Sequence, residues 1–191
     1  MRKRAEQVDQ TRQRIVEAAV HLHGTLGPAE TTVAGIAREA GVTRLTVYRH
    51  FPDDEAIFTA CSAHWLAGQT PPNPAAWAKL SAPVERLRAG LEDLYRFYEE
   101  GQQMLSRVYR DKQALPPGRR QDLDQRDTAI RQLLLTAFPQ GADPRLPGAI
   151  GHATSFSTWQ SLCGENGMSR ADAVELMTAL VAGLDTGTSA Q

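Results

Sequence analysis

The chain has 191 residues, of which 41% are hydrophobic and 23% charged, and its formal net charge is −1. This hydrophobic fraction is enough for a folded core. The longest apolar runs fall short of the ~20 residues of a membrane-spanning helix. No hydrophobic segment follows the basic start MRKRAEQVDQ, so we expect a cytoplasmic protein without a secretory signal.

Charge is distributed unevenly along the chain. Residues 1–51 carry a net charge of +3, and the remaining residues carry a net charge of −4. A basic head on an acidic body suits nucleic acid at one end only. We expect residues 1–8 to form a flexible basic arm, which either touches DNA or serves only as a solubilising tail.

The first helix is predicted over residues 9–26, where Ile15 and Ala19 lie on its inner face and Gly27 ends it. His23 lies near that face, and we interpret it as a core histidine that is either hydrogen-bonded or partly exposed. It does not form a metal pair with His21, because residues two apart point to different sides of a helix.

Residues 32–51, TVAGIAREAGVTRLTVYRHF, predict two short helices joined by a tight turn. Thr32 suits the N-cap of the first helix, because its hydroxyl can accept from free backbone N–H groups of the first turn. Gly41 follows where that helix must stop, since glycine adopts the left-handed conformation without steric cost. Thr43 can cap the second helix, in which Val47 faces the core.

The second of these helices leaves hydrogen-bond donors on its outer face. Arginine reads guanine edges, and hydroxyl and imidazole groups hold phosphate oxygens. We interpret residues 32–51 as a helix-turn-helix with residues 44–50 as the recognition helix. An ordinary helical hairpin with a polar outer face is the alternative. The candidate DNA-binding residues are Thr32, Thr43, Arg44, Leu45, Thr46, Tyr48, Arg49 and His50.

Pro52 separates the recognition helix from the next one, because proline disfavours helical geometry in the preceding residue. Asp53 can cap that next helix, predicted over residues 53–66, and the acidic first turn suits the helix dipole.

Residues 11–62 resemble the DNA-binding domain of the tetracycline-repressor (TetR) family. Two positions depart from the family pattern: His23 stands where the family often has Phe, and Asp54 stands where it usually has a phosphate-contacting Lys. The second departure adds repulsion close to DNA. The residues that match the pattern are Thr11, Arg12, Ile15, Ala18, Ala19, Gly27, Thr32, Ile36, Ala37, Ala40, Gly41, Val42, Thr43, Val47, Tyr48, His50 and Phe51.

The resemblance implies an all-α fold of about nine helices, with a DNA-binding head over residues 9–68 and a ligand-binding and dimerisation body over residues 83–185. It implies a transcriptional repressor that binds a palindromic operator in double-stranded DNA as a homodimer. A small-molecule effector would release the DNA, and no cofactor is expected. An activator, a regulator that answers to a protein partner, and a helical carrier or enzyme with a vestigial head remain the alternatives.

The proline-rich residues 69–82 predict a linker between head and body. In the body we expect helices over residues 83–100, around 104–109, and over 119–138 and 148–164. A last helix is predicted after Ser169, which with Asp172 in the first turn resembles a capping box. Residues 186–191 are predicted to be a disordered tail.

Two sets of body residues are candidates for binding. Apolar and aromatic residues are common in ligand sites, although the same residues would fill an ordinary core. The candidate effector-binding residues are Tyr95, Tyr98, Met104, Tyr109, Phe156 and Trp159. One stripe of small residues and one stripe of leucines each recur every four positions, which favours a dimer interface. The alternative is that both stripes pack inside the monomer. These candidates are Ala153, Ser157, Ser161, Leu176, Leu180 and Leu184.

The common catalytic motifs are missing. The sequence has no G-x-S-x-G elbow, phosphate-binding P-loop, G-x-G-x-x-G or C-x-x-C pattern, so we do not expect an enzyme. Asp122, Asp124 and Asp127 lie among arginines, which favours a solvated charged face over a metal site. We interpret Cys61 and Cys163 as buried, reduced thiols, with a redox switch as the alternative.

Overall fold

The computed structural model describes residues 2–139 and 142–185. Within these ranges the chain forms eleven α-helices and no strand, which confirms the all-α prediction. The sequence predicts about nine helices, and the two additional ones are the four-residue α5 and α10. The helices are α1 (Arg2–Thr25), α2 (Val33–Glu39), α3 (Arg44–His50), α4 (Asp54–Ala67), α5 (Pro74–Trp77), α6 (Pro83–Glu100), α7 (Gln102–Arg110), α8 (Pro117–Leu135), α9 (Leu146–Ala153), α10 (Phe156–Trp159) and α11 (Arg170–Asp185). A 3₁₀ turn spans Lys112–Ala114, and a π-helical turn spans Gln160–Glu165.

The chain divides into two compact units that are not contiguous in sequence. Unit 1 comprises Met1–Thr70 and Gly101–Asp122, and unit 2 comprises Pro71–Glu100 and Leu123–Gln191. This division differs from the predicted head over residues 9–68 and body over residues 83–185. The physical reason is that α7 and the segment after it pack and hydrogen-bond within unit 1.

The first helix is longer than the sequence predicts, because α1 begins at Arg2 rather than Asp9. Residues 2–8 therefore continue the helix, which corrects the prediction of a flexible arm. The segment contains Arg, Lys, Ala, Glu and Gln, which are strong helix formers, and no Gly or Pro interrupts it.

Most of the predicted linker over residues 69–82 is instead part of unit 2, which begins at Pro71. Asn73 caps the short helix α5, and Trp77 is buried. The Asp93 carboxylate on α6 accepts hydrogen bonds from Trp77 Nε1 at 3.0 Å and from the Asn73 backbone N–H at 2.6 Å. The buried indole and the two hydrogen bonds to Asp93 hold this segment in place despite its prolines.

The core of unit 2 forms around α6, whose bounds match the predicted helix over residues 83–100. One face of α6 is buried and packs against α11. The buried residues of α6 are Leu87, Gly90, Leu91, Leu94, Tyr95, Phe97 and Tyr98. Ser169 caps α11 as the sequence predicts, since its hydroxyl accepts from the Asp172 N–H at 3.1 Å and donates to the Asp172 carboxylate at 2.6 Å.

The predicted continuous helix over residues 148–164 is interrupted. It breaks after Thr154, where Ser155 adopts an extended conformation and its hydroxyl accepts from the Thr158 N–H at 3.2 Å. The Thr154 hydroxyl donates back to the Ile150 carbonyl at 2.8 Å. Adjacent Ser and Thr side chains therefore compete with the helical backbone for hydrogen bonds and end α9 at this point.

The predicted tail over residues 186–191 lies outside the described residues. Among the residues that the structure describes, no helix combines the length and apolarity needed to cross a membrane. The same residues contain no group of three or more His, Cys, Asp or Glu side chains placed to hold a metal ion.

Candidate nucleic-acid interface

Helices α2 and α3 form the predicted two-helix motif, and each is capped by the predicted residue. Thr32 Oγ1 accepts from the Gly35 N–H at 3.0 Å, and Thr43 Oγ1 accepts from the Thr46 N–H at 3.1 Å. Between the helices Gly41 has φ +65°, a left-handed conformation that favours glycine. The sequence therefore predicts the local geometry of this motif correctly.

The turn is closed by two backbone hydrogen bonds at the end of α2. The Val42 N–H donates to the Ala37 carbonyl at 2.9 Å, and the Gly41 N–H donates to the Arg38 carbonyl at 3.2 Å. This pair is the Schellman arrangement, which satisfies carbonyls that a helix end would otherwise leave free. It fixes the direction in which α3 leaves the turn.

The inner face of α3 holds it against the core of unit 1. Val47 is fully buried, and Phe51 is buried as well. Both belong to a core cluster that includes Ile15, Ala19 and Ile36 from earlier in the chain. The Arg12 guanidinium on α1 lies 4.8 Å from the centroid of the Phe51 ring, which is a cation–π contact. Packing of α3 on α1 and α2 thus leaves its opposite face outward.

The predicted DNA-binding residues occupy that outward face and the two caps. Leu45 and Tyr48 are 71% and 49% exposed. Arg44 and Arg49 are also exposed, whereas Thr46 and His50 are half-buried. The Thr46 hydroxyl lies 2.9 Å from the Thr43 hydroxyl, so the α3 cap already engages it.

A cleft of about 990 Å³ borders this face within unit 1. Arg44 and Tyr48 contribute to its lining, together with the first residues of α2 and α4. Three acidic residues form the N-cap and first turn of α4, and two of them are engaged. The N-cap Asp53 accepts from the Ala56 N–H at 2.7 Å, and Glu55 pairs with Arg119 at 2.9 Å. Asp54 is exposed and pairs with none of the described residues.

Residues distant in sequence complete unit 1 in a way that the sequence pattern does not predict. Arg107 Nε donates to the Thr25 carbonyl at 2.6 Å, and Arg110 Nη2 donates to the Leu26 carbonyl at 2.8 Å. These guanidinium groups satisfy carbonyls at the end of α1. Asp111 accepts from the Ala29 N–H at 3.1 Å, and its hydrogen bond with Arg110 lowers its pKa.

Gly27 is the residue that allows this approach. Its φ is +100°, and a Cβ at this position would overlap the side chains of Arg110 and Asp111. The glycine that the sequence predicts as the end of α1 is therefore also the point at which α7 reaches the α1–α2 loop. We call the three side chains Arg107, Arg110 and Asp111 the α7 clasp.

Four of the six predicted effector-binding residues lie together in unit 2, and all four are buried. The Tyr98 and Phe156 rings are 5.4 Å apart and perpendicular, and the Phe156 and Trp159 rings are also 5.4 Å apart. Tyr95 donates to the Ala153 carbonyl at 2.8 Å. Met104 and Tyr109 lie on α7 in unit 1, so the structure does not place all six residues in one unit.

Two polar groups in unit 2 stand out within the described residues. Trp159 Nε1 and Thr178 Oγ1 are buried there without a hydrogen-bond partner. Buried donors without partners are uncommon, because each carries a desolvation penalty. Burial also raises the pKa of Tyr95 above its usual value, so its hydroxyl stays protonated.

The predicted dimer residues divide into buried and exposed members. Ala153 is 1% exposed inside the monomer, which corrects its assignment to an interface. Its carbonyl accepts the Tyr95 hydrogen bond, and the break after Thr154 means that the predicted stripe does not continue along one helix. The remaining candidates are exposed or half-buried: Ser157, Ser161, Leu176, Leu180 and Leu184.

Unit 1 contains a capped pair of helices that are joined by a tight turn and packed on a third helix. The pair presents a polar and cationic outer face. These features define a helix-turn-helix DNA-binding domain. Residues 15–61 match the family described as bacterial regulatory proteins, tetR family. Over these residues the chain is therefore similar to the DNA-binding domain of this family of transcriptional regulators, as its sequence pattern predicts.

Two curated relatives match part of the chain. It is 48% identical over 50 residues to the HTH-type transcriptional regulator SrpR of Pseudomonas putida, which covers 26% of this chain and 24% of SrpR. It is 38% identical over 58 residues to the HTH-type transcriptional regulator AcrR of Shigella flexneri, which covers 30% of this chain and 27% of AcrR. The chain thus matches about a quarter of the length of these relatives.

The likeness to solved structures extends over nearly the whole chain. A TetR-like transcriptional regulator from Rhodococcus sp. RHA1 has a TM-score of 0.57 at 21% identity, and the match covers 95% of this chain and 97% of that protein. At this identity the likeness establishes a shared fold. It extends the similarity from the DNA-binding domain to the helices of the body.

Proposed function

We propose that the protein is a transcriptional repressor that binds a palindromic operator as a homodimer and leaves DNA when a small-molecule effector binds. The observation that carries this proposal is the outer face of α3, where Arg44, Leu45, Tyr48 and Arg49 are exposed. The Thr43 cap and the buried inner face hold this helix in place. This face has the size and chemistry to enter a major groove. A repressor acts on DNA, so we also propose that the protein is cytoplasmic.

The residues of α3 divide by chemistry into two roles. Arg44 reads a base edge, because a guanidinium can donate to guanine O6 and N7 together. Tyr48 and His50 hold phosphate oxygens and fix the position of the helix on the duplex. Thr46 takes part in the Thr43 cap, so any base contact that it makes competes with that bond.

A homodimer supplies the second recognition helix that a palindrome requires. On α11, Leu180 is 59% exposed and Leu176 is 37% exposed, while Met177 and Val181 face the core. Ser157 and Ser161 are exposed small residues of the same unit. We assign the leucines as the apolar centre of the interface and the serines as positions of close helix approach.

The effector site in this proposal is the aromatic cluster of unit 2. Trp159 Nε1 is a buried donor without a partner in the described part of the chain, so an effector with an acceptor atom would satisfy it. An effector releases DNA only if it binds the state with low DNA affinity more tightly. Crystals of the protein grown with cell extract would identify the effector from the electron density of the bound molecule.

The experiment that tests the proposal combines sedimentation and gel shift on the full chain, with DNA from upstream of its own gene. Ser157→Arg with Leu180→Arg is expected to give a folded monomer with weak, half-site binding. Glu92→Arg, an exposed charge change on α6 in the same unit, serves as the control and should remain dimeric. A dimeric double variant that still binds the full palindrome would refute the interface.

The same assay separates the two roles on α3. Tyr48→Phe and His50→Ala should weaken binding to every sequence alike. Arg44→Ala should instead change which base is preferred, because a base contact contributes about 1–3 kcal/mol of discrimination. Unchanged affinity and salt dependence in the first two variants would contradict this placement of the helix.

A helical carrier or enzyme with a vestigial head is the second candidate, and Asp54 is the observation that favours it. Asp54 is an exposed carboxylate at the start of α4 that pairs with none of the residues the structure describes, and its charge opposes a phosphate at that position. Absence of any salt-sensitive specific complex in the gel shift would favour the carrier or enzyme.

A further inference from the structure

Leu45 is the most exposed large hydrophobic residue in the described part of the chain, at 71%. It lies in the first turn of α3, between the exposed Arg44 and the cap-bonded Thr46. Single apolar residues on a surface are ordinary. This one lies on the face that the proposed function directs toward DNA, so its exposure in the free protein has a specific consequence.

The fold of unit 1 does not depend on the Leu45 side chain. The core contact of α3 is made by Val47, which is fully buried, and the helix start is fixed by the Thr43 cap. A polar residue at position 45 would therefore fold equally well and would be better solvated. The apolar side chain gains free energy only when another surface covers it.

The C5-methyl of thymine is the largest apolar group that base edges present in the major groove. The N-terminal residues of a recognition helix are those that meet base edges. We propose that Leu45 is a specificity-determining residue that packs against a thymine methyl in each half-site of the operator. This inference rests on the proposed DNA-binding function and adds a base that the other α3 residues do not select.

The test removes the methyl group and nothing else. Operators are first selected by the full chain from a randomised duplex library. Each thymine of the selected operator is then replaced by deoxyuridine, which pairs identically but lacks the methyl group. For the wild type we expect one thymine per half-site at which this replacement weakens binding by about fourfold, the factor for one methyl-sized apolar contact.

Two variants assign the effect to Leu45. Leu45→Ala should bind the thymine and deoxyuridine operators equally, and Leu45→Met should keep the discrimination because it restores an apolar side chain. Leu66→Ala, which truncates an exposed leucine on α4, is the matched control and should keep the wild-type sensitivity. The exposed position and the helix propensity of alanine keep Leu45→Ala folded.

The outcomes separate this inference from the function on which it rests. A selected operator with no uracil-sensitive position, or with equal sensitivity in wild type and Leu45→Ala, would overturn the role of Leu45 and leave DNA recognition intact. A selection that enriches no sequence would overturn specific DNA recognition, and this inference with it.

Discussion

His23 makes the stability of unit 1 depend on pH. Its side chain is 3% exposed, its ring stacks on Phe58 with centroids 4.4 Å apart, and its Nδ1 lies 3.4 Å from Cys61 Sγ. Burial lowers the pKa of His23 from 6.5 to about 4 and raises the pKa of the Cys61 thiol to about 12. Both groups are therefore neutral in the folded protein at pH 7.

The sign of the effect follows from the two states of His23. Between pH 6.5 and pH 4 the unfolded chain binds a proton at this imidazole and the folded chain does not, so stability falls as the pH falls. The two pKa values give a loss of about 2 kcal/mol at pH 5 relative to pH 8, and of roughly 3 kcal/mol well below pH 4. Cys61 does not titrate in this range.

His23→Phe removes the proton site and keeps an aromatic ring against Phe58. The assay is urea unfolding at pH 8 and pH 5, followed by NMR of the Ile15 and Ala19 methyl groups, which report unit 1. We expect the variant to lose about 2 kcal/mol less than the wild type between these pH values. Contributions from the rest of the chain are common to both proteins and cancel in the difference.

Two results would refute this reasoning about His23. The first is an equal pH dependence of unfolding in the wild type and in His23→Phe. The second is an imidazole pKa of 6 or higher for His23, measured by NMR titration of the folded chain. Either result would mean that the ring is hydrated or that a partner stabilises its cation.

Three further substitutions have defined outcomes. Asp54→Lys should tighten DNA binding in fluorescence anisotropy and steepen the plot of log K against log salt by about one unit. Gly27→Ala should destabilise unit 1 by about 1–3 kcal/mol in the methyl NMR assay, because φ is +100° and the new Cβ overlaps Arg110. Tyr95→Phe should destabilise unit 2 by about 1–3 kcal/mol in urea, because it leaves the buried Ala153 carbonyl without its donor.

Each of these expectations has a contradicting result. An unchanged salt slope for Asp54→Lys would mean that the start of α4 stands clear of DNA. Wild-type stability of Gly27→Ala would mean that the α1–α2 loop shifts freely away from α7. A neutral Tyr95→Phe would mean that another donor reaches the Ala153 carbonyl.

Features that depend on neighbouring residues were predictable from the sequence. Thr32, Thr43 and Asp53 each accept from a backbone N–H three residues later, so a cap and its partner occur in the same short stretch of sequence. Pro83 and Glu100 bound α6 where the hydrophobic period starts and stops. The family pattern over residues 11–62 is built from such local features, which is why it identifies the DNA-binding domain.

Features that depend on distant partners were not predictable. Trp77 is fixed by Asp93, which a proline-rich composition does not reveal. Arg107 and Arg110 reach carbonyls of α1 more than 80 residues earlier, and nothing in the α7 sequence indicates that destination. The sequence likewise does not distinguish an effector pocket from a core, since aromatic side chains in a pocket and in a core have the same periodicity.

The α7 clasp has a consequence for the order in which the protein is made. The carbonyls of Thr25 and Leu26 are synthesised long before the arginines that satisfy them, so α1 leaves the ribosome with its end uncapped. Translation must pass residue 111 before the loop that leads into α2 acquires its partners. A fragment that ends at residue 70 would keep the recognition helix, but the carbonyls of Thr25 and Leu26 would lack their arginine donors. We therefore expect unit 1 to be stable as a separate fragment only when residues 101–122 accompany residues 2–70.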